Sequence, residues 1–188
     1  MDWRLLEKVM SDEQSMLNRW APWYSTGQRC KESYGPATSY TIASDWLAGL
    51  AVEDWGCGYA QFREYHKGPY TGIDGTEGWA DHICDLRTHT SSTEGLLMRH
   101  VLEHNPDWRS VLKNAIASFT QRMVLVVFTP DSEGPEKTLA FVASVGVHDL
   151  SLPFVEIEAS FADCRILDRI HVATATGYQG ETLWLVER

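Results

Sequence analysis

The sequence predicts an α/β fold: a mainly parallel sheet with helices on both faces, ending in an antiparallel hairpin. Three observations predict it. The apolar runs Leu50–Asp54 and Tyr70–Asp74 each end in a carboxylate and read as buried strands. Stretches with helical spacing alternate with such runs, which is the pattern of strand–helix–strand units. Two extended runs, 166–175 and 182–187, flank Gly177-Tyr178-Gln179-Gly180 and read as a β-hairpin.

Taken in order, residues 1–20 carry Trp3, Leu5, Leu6, Val9, Met10, Met16, Leu17 and Trp20 at near-helical spacing, so an amphipathic helix or helix pair is expected. Pro22, Gly27, Gly35 and Pro36 break it into a loop rich in Trp, Tyr and Ser. Thr41–Leu47 reads as a short helix leading into the first strand. Strands are expected at 50–54, 70–74, 82–86, 95–101 and 122–129, with helices at 59–66 and 107–119. Gly75–Asp81 leaves room for no more than a short helix after the second strand. With no repeat or linker in its 188 residues, the chain reads as one domain, with 1–48 as a helical cap and 49–188 as a core.

Composition narrows the function classes. A formal net charge of −10 argues against tight binding to a phosphate backbone and favours a small-molecule partner. No apolar run reaches the ~18 residues of a membrane span. Met1-Asp2-Trp3-Arg4 has neither the basic start nor the apolar core of a signal peptide. Cys30, Cys57, Cys84 and Cys164 form no C-x-x-C pair, which fits small apolar groups in a reducing cytoplasm. Oligomeric state leaves no mark in the sequence.

The segment Val52-Glu53-Asp54-Trp55-Gly56-Cys57-Gly58 joins a strand to a Gly-x-Gly turn, and Gly72-Ile73-Asp74 ends the next strand on a carboxylate. At neighbouring strand ends these place a close-approach loop beside a sugar-gripping acid, the signature of a nucleoside-containing ligand. A dinucleotide site would show G-x-G-x-x-G, and that spacing is absent. In order through Cys84-Asp85-Leu86 and His100-Val101-Leu102-Glu103-His104, with Pro106-Asp107 behind, the chain resembles the class I S-adenosylmethionine-dependent methyltransferases, of the small, single-domain, type-11-like kind.

That resemblance implies a Rossmann-like seven-stranded sheet in the order 3-2-1-4-5-7-6 and S-adenosyl-L-methionine as cofactor. It implies that Gly56, Cys57 and Gly58 pass close to the methionine portion and that Asp54 holds its ammonium group. Asp74, with Gly75 behind it, would take the ribose hydroxyls, Asp85 the adenine amino group, and Leu86 would pack near the ring. Arg99, at the end of the fourth strand, belongs to the same implied set. Where the family often has a third glycine, this chain has Tyr59-Ala60.

His100 and His104 are the candidate catalytic residues, either one able to take a proton from an acceptor near neutral pH. His89 and His148-Asp149 are weaker candidates, and His66, His82 and His171 read as structural. The segment also fits H-x-x-E-H, a zinc-peptidase signature, yet it follows a strand-like run rather than opening a helix. Asn105-Pro106-Asp107-Trp108 resembles the motif of DNA amino-methyltransferases but lacks its second proline, and Pro106-Asp107 reads better as a helix start. No carboxylate ends the fourth strand, so no metal is expected. Trp20, Trp23, Tyr24, Tyr34 and Tyr40 are expected to form an aromatic lid.

Overall fold

The computed structural model describes residues 16–25 and 38–188. Most of the helix expected over 1–20, together with Cys30 and Tyr34, lies outside the described residues. The elements are α1 (Ala21–Tyr24), α2 (Thr38–Trp46), β1 (Val52–Trp55), β2 (Tyr70–Asp74), β3 (His82–Ile83) and β4 (Thr93–Arg99). There follow α3 (Trp108–Ser118), β5 (Phe119–Val127), β6 (Lys137–Val142), β7 (Val147–Ser151), α4 (Phe154–Ser160), β8 (Arg165–Ala173) and β9 (Gly180–Glu187).

Seven strands form one sheet in the order β3-β2-β1-β4-β5-β9-β8. β1 to β5 pair in parallel, β9 runs antiparallel to both β5 and β8, and β6 and β7 form a separate hairpin. This is the expected fold class and strand order.

Period-2 alternation explains the near-continuous apolar runs, because both faces of the sheet are covered. One face sets Leu96, Met98, Met123, Leu125 and Trp184 against Trp108, Val111, Leu112 and Ala115 of α3 and Phe154 and Ile157 of α4. The other sets Val52, Leu97, Val124, Val126 and Leu183 against Tyr40 and Ala43 of α2, Leu47 and Phe62. The buried residues of α3 recur at helical spacing, so its apolar stripe alone fixes which side meets the sheet.

Several boundaries differ from expectation, each for a local reason. The helix expected at 59–66 is only a 3₁₀ turn, Gln61–Glu64, because Ala60 takes a left-handed conformation (φ 51°) just before it. β3 stops at Ile83 because the chain curls behind it, with the amides of Thr88 and His89 donating to the Asp85 carbonyl. β4 ends before His100, whose φ of 58° no strand tolerates. Pro22 sits in the first turn of α1, where its missing N–H costs nothing. Asp107 occupies the N-cap position of α3 without a side-chain cap. The β6–β7 hairpin and α4 fill a stretch for which the sequence predicts no element.

Candidate active site

A cavity of about 470 Å³ opens at the carboxyl ends of β1, β2, β4 and β5. Residues following those strands form its floor, the 16–25 segment crosses above it, and the β6–β7 hairpin and the β8–β9 turn close one side.

The floor is built where β1 turns. Gly56 (φ 73°) and Gly58 (φ 54°) are both left-handed, a conformation glycine adopts without a Cβ penalty. The amides of Gly56 and Cys57 donate to the Ile73 carbonyl at 2.7 and 3.1 Å, and Gly58 N–H donates to Asp74 Oδ2 at 2.9 Å. The turn is thereby tied to the end of β2. A Cβ on Gly56 would lie 2.2 Å from Val101 Cγ2. Ligand clearance is the expected role of that glycine, and its crowded neighbour is Val101, itself part of the cavity wall.

Asp74 faces the cavity and is buried. Besides Gly58, it accepts from Thr76 N–H at 2.8 Å and from the Tyr24 hydroxyl at 3.3 Å. Burial raises its pKa in spite of these donors. Gly75, Cys84 and Leu86 continue the same wall.

Two of the expected cofactor residues stand elsewhere. Asp54 does not line the cavity; it is 3% exposed and accepts from the Tyr70 hydroxyl at 2.8 Å. Asp85 does not line it either, because its carboxylate is gripped by Arg87, whose Nε lies 3.0 and 3.1 Å from the two oxygens. Burial would lift the Asp85 pKa, but the Arg87 guanidinium and amide bring it below the usual value.

Asp54 makes a prediction possible. Burial, with the Asp74 charge adding, pushes its pKa from 3.8 up to about 7. The folded protein therefore holds a proton that the unfolded chain has lost across that window. Its contribution to stability falls as pH rises from about 4 to about 7 and then levels off. Asp54→Asn is expected to gain stability relative to wild type over that window, by up to about 4 kcal/mol. Urea unfolding of the ligand-free proteins at about pH 4 and about pH 8 measures this; an identical difference at both pH values would refute it.

The opposite half of the cavity carries both candidate histidines. His100 Nε2 lies 2.8 Å from Glu181 Oε1, and the same oxygen pairs with Arg99 at 2.5 Å. Burial and the adjacent Arg99 charge hold the His100 pKa down to about 3, so its ring is neutral and donates from Nε2. Burial alone would raise Glu181, but His100 and Arg99 bring it to about 2. Arg99 also bonds the Ser39 hydroxyl and lies over the Tyr40 ring.

His104 ends the 3₁₀ turn Leu102–His104. Its Nδ1 lies 3.3 Å from the His148 carbonyl and 3.3 Å from Asp149 Oδ1. The hydrogen bond goes to the carbonyl; the carboxylate oxygen sits at ion-pair distance without a hydrogen bond of its own. Asp149 Oδ2 accepts from the Tyr178 hydroxyl at 3.0 Å. Burial opposes ionisation of Asp149, yet His104 and Tyr178 outweigh it and lower its pKa. Glu103 is fully buried and bonds Phe128 N–H, with its pKa raised to about 7 by burial. His100 and His104 share no helical face, so the zinc-peptidase geometry is not formed. Among the described residues no cluster of three or more His, Cys, Asp or Glu is arranged to hold a metal.

The crossing segment is pinned at both ends. Asn18 N–H donates to the Gly75 carbonyl at 2.7 Å, and Arg19 reaches the Gly146 carbonyl at 3.1 Å. The Tyr59 hydroxyl donates to the Trp23 carbonyl, and Trp20 meets His104 edge-on at 4.9 Å. Trp20, Trp23, Tyr24 and Tyr40 all line the cavity, as an aromatic lid requires. Sequence reasoning missed Tyr178, Phe128 and Glu181. Tyr178 was legible only as a turn residue.

No family model matches the sequence, and no curated protein matches it. Solved structures do. An N1-methyltransferase from Burkholderia thailandensis, bound to 1,6-didemethyltoxoflavin and S-adenosylhomocysteine, superposes with a TM-score of 0.66 at 14% identity, over 89% of this chain and 84% of that one. The partner of the Trm112 methyltransferase activator in a Haloferax volcanii complex gives 0.67 at 11%, over 90% and 95%. Magnesium protoporphyrin IX methyltransferase from Synechocystis, with bound S-adenosylhomocysteine, gives 0.58 at 15%, over 80% and 82%. The chain has the fold of the class I S-adenosylmethionine-dependent methyltransferases.

Proposed function

We propose that this chain is an S-adenosylmethionine-dependent methyltransferase acting on an oxygen or nitrogen of a small or medium-sized acceptor. One observation carries the reading: the left-handed Gly56–Gly58 turn and buried Asp74 face the His104–Asp149 pair across a single cavity. Its volume suits one compact ligand set. A carboxylate already engaged by backbone amides is fixed in place and keeps lone pairs for ribose hydroxyls. Leu86 and Cys84 offer the apolar wall that an adenine ring needs.

When bound, S-adenosylmethionine supplies a methyl carbon on a sulfonium, which departs as a neutral thioether with the electron pair of the broken bond. This chain's residues would do the rest. Gly56, Cys57, Gly58, Asp74, Gly75 and Leu86 hold the cofactor. With Nδ1–H directed at the His148 carbonyl, His104 keeps its lone pair on Nε2 for the acceptor's proton, and Asp149 balances the charge that results. His100, already donating to Glu181, supports the wall instead. β4 ends on Arg99 rather than a carboxylate, which fits metal-independent transfer.

The whole of 1–188 is read as one methyltransferase domain, with 1–48 as its cap. Net charge favours a small acceptor over nucleic acid, and cysteine usage favours the cytoplasm. Among the described residues no helix is long and apolar enough to cross a membrane.

Calorimetry with S-adenosylmethionine and S-adenosylhomocysteine tests the reading. Wild type is expected to bind both. Asp74→Ala is expected to lose affinity by about a hundredfold, the worth of one to two hydrogen bonds to a charged group. Undiminished affinity in that variant would move the ribose site elsewhere.

A further inference from the structure

The acceptor half of the cavity is walled by rings. Phe128, just past β5, is half-buried, with His100, His104 and Tyr178 around it at centroid distances of 4.8, 5.4 and 5.6 Å. Trp20 stands across from His104. All five line the cavity and keep part of their surface exposed there. The planes of these pairs are inclined by 38° to 63°, so none of them is a parallel stack.

One carboxylate oxygen on this wall, Asp149 Oδ1, has no hydrogen bond of its own, and the other charges are paired. Arg99 is paired with Glu181, and Asp149 with His104 and the Tyr178 hydroxyl. Most of the polar side-chain atoms a sugar would seek are engaged as well. Asn105 Nδ2 donates to the Val101 carbonyl, His100 Nε2 to Glu181, and the Tyr178 hydroxyl to Asp149. An anionic acceptor would lose its hydration, gain no counter-charge and meet the Asp149 carboxylate. A polyhydroxylated one would leave hydroxyls without partners.

We infer that the acceptor is a flat aromatic or heteroaromatic compound that carries no negative charge and bears a weakly acidic hydroxyl or ring N–H. The inference rests on the methyltransferase reading above. The π-faces lie against Phe128 and Tyr178, where ring–ring contact adds to apolar burial. The acidic group meets His104, the one imidazole on this wall whose Nε2 is not spent on Glu181.

Saturation-transfer NMR on protein loaded with S-adenosylhomocysteine tests this without turnover. Naphthol, nitrophenol and hydroxyquinoline are the probes, with cyclohexanol and methyl glucoside as saturated counterparts. The aromatic probes are expected to bind and to compete with one another. Phe128→Leu and Tyr178→Leu are each expected to weaken them about two- to tenfold while S-adenosylhomocysteine binds as before. The inference falls if the saturated compounds bind equally well, if no aromatic probe binds to the loaded protein, or if neither variant weakens binding. Failure of S-adenosylhomocysteine itself to bind would instead bring down the methyltransferase reading, and the acceptor class with it.

Discussion

Glu181→Ala is expected to cost about 3–5 kcal/mol of folding stability. The variant would take from Arg99, whose side chain is 10% exposed, the carboxylate of Glu181, which is 1% exposed. Removing one member of a buried pair takes away counter-charge that offsets the desolvation of the other, and the Glu181 acceptor of His100 goes with it. Arg109 supplies the contrast, since its pairs with Glu136 and Glu156 are about half exposed. Glu156→Ala is expected to change stability by no more than about 1 kcal/mol. Replacing both buried partners together, as Arg99→Met with Glu181→Leu, is expected to recover most of the loss. Urea unfolding measures all of these, and a Glu181→Ala loss below about 1 kcal/mol would show that solvent reaches the pair.

His104→Ala is expected to lower turnover by about 10²–10⁴-fold, the usual contribution of a positioned general base. Affinity for S-adenosylhomocysteine is expected to hold, because among the described residues the ring contacts the acceptor wall, Trp20 and the β7 residues. Asp149→Asn removes the charge beside the imidazole but spares the His148 carbonyl that fixes the tautomer, so its loss is expected to be smaller. The decisive comparison is between turnover and affinity. If both fall in the same proportion in His104→Ala, the histidine merely packs beneath Trp20.

The half of the cavity that faces Asp74 was legible in the sequence because its parts are contiguous. Strands β1 and β2 announce themselves as apolar runs, and each ends on a residue whose type suits its place. Side-chain direction was not legible. Asp85 lies two residues from Arg87, and nothing in the order of letters says that this pair closes on itself. Asp54 passes behind the wall because strand alternation, fixed only by the assembled sheet, turns it toward Tyr70.

The other half was hidden for two physical reasons. Glu181 meets Arg99 across 82 residues, a separation that carries no local pattern. β6 is exposed over nearly its whole length, so no buried face imprints alternation on Lys137–Val142. The hairpin therefore left only His148-Asp149 as a trace of itself.

The position of β9 has a consequence for synthesis. It is the last of the nine described strands to leave the ribosome, yet it lies between β5 and β8 rather than at a border. Until it arrives, β5 presents an unpaired edge, the kind of surface on which nascent chains stick to one another. Arg99 and His100 are made some eighty residues before Glu181. The growing chain thus carries Arg99 before the Glu181 carboxylate that pairs with it, and the acceptor wall is complete only when β9 slots in. A ribosome stalled just short of Gly180 would hold a chain with its Gly56–Gly58 turn and Asp74 already made and its acceptor wall still open.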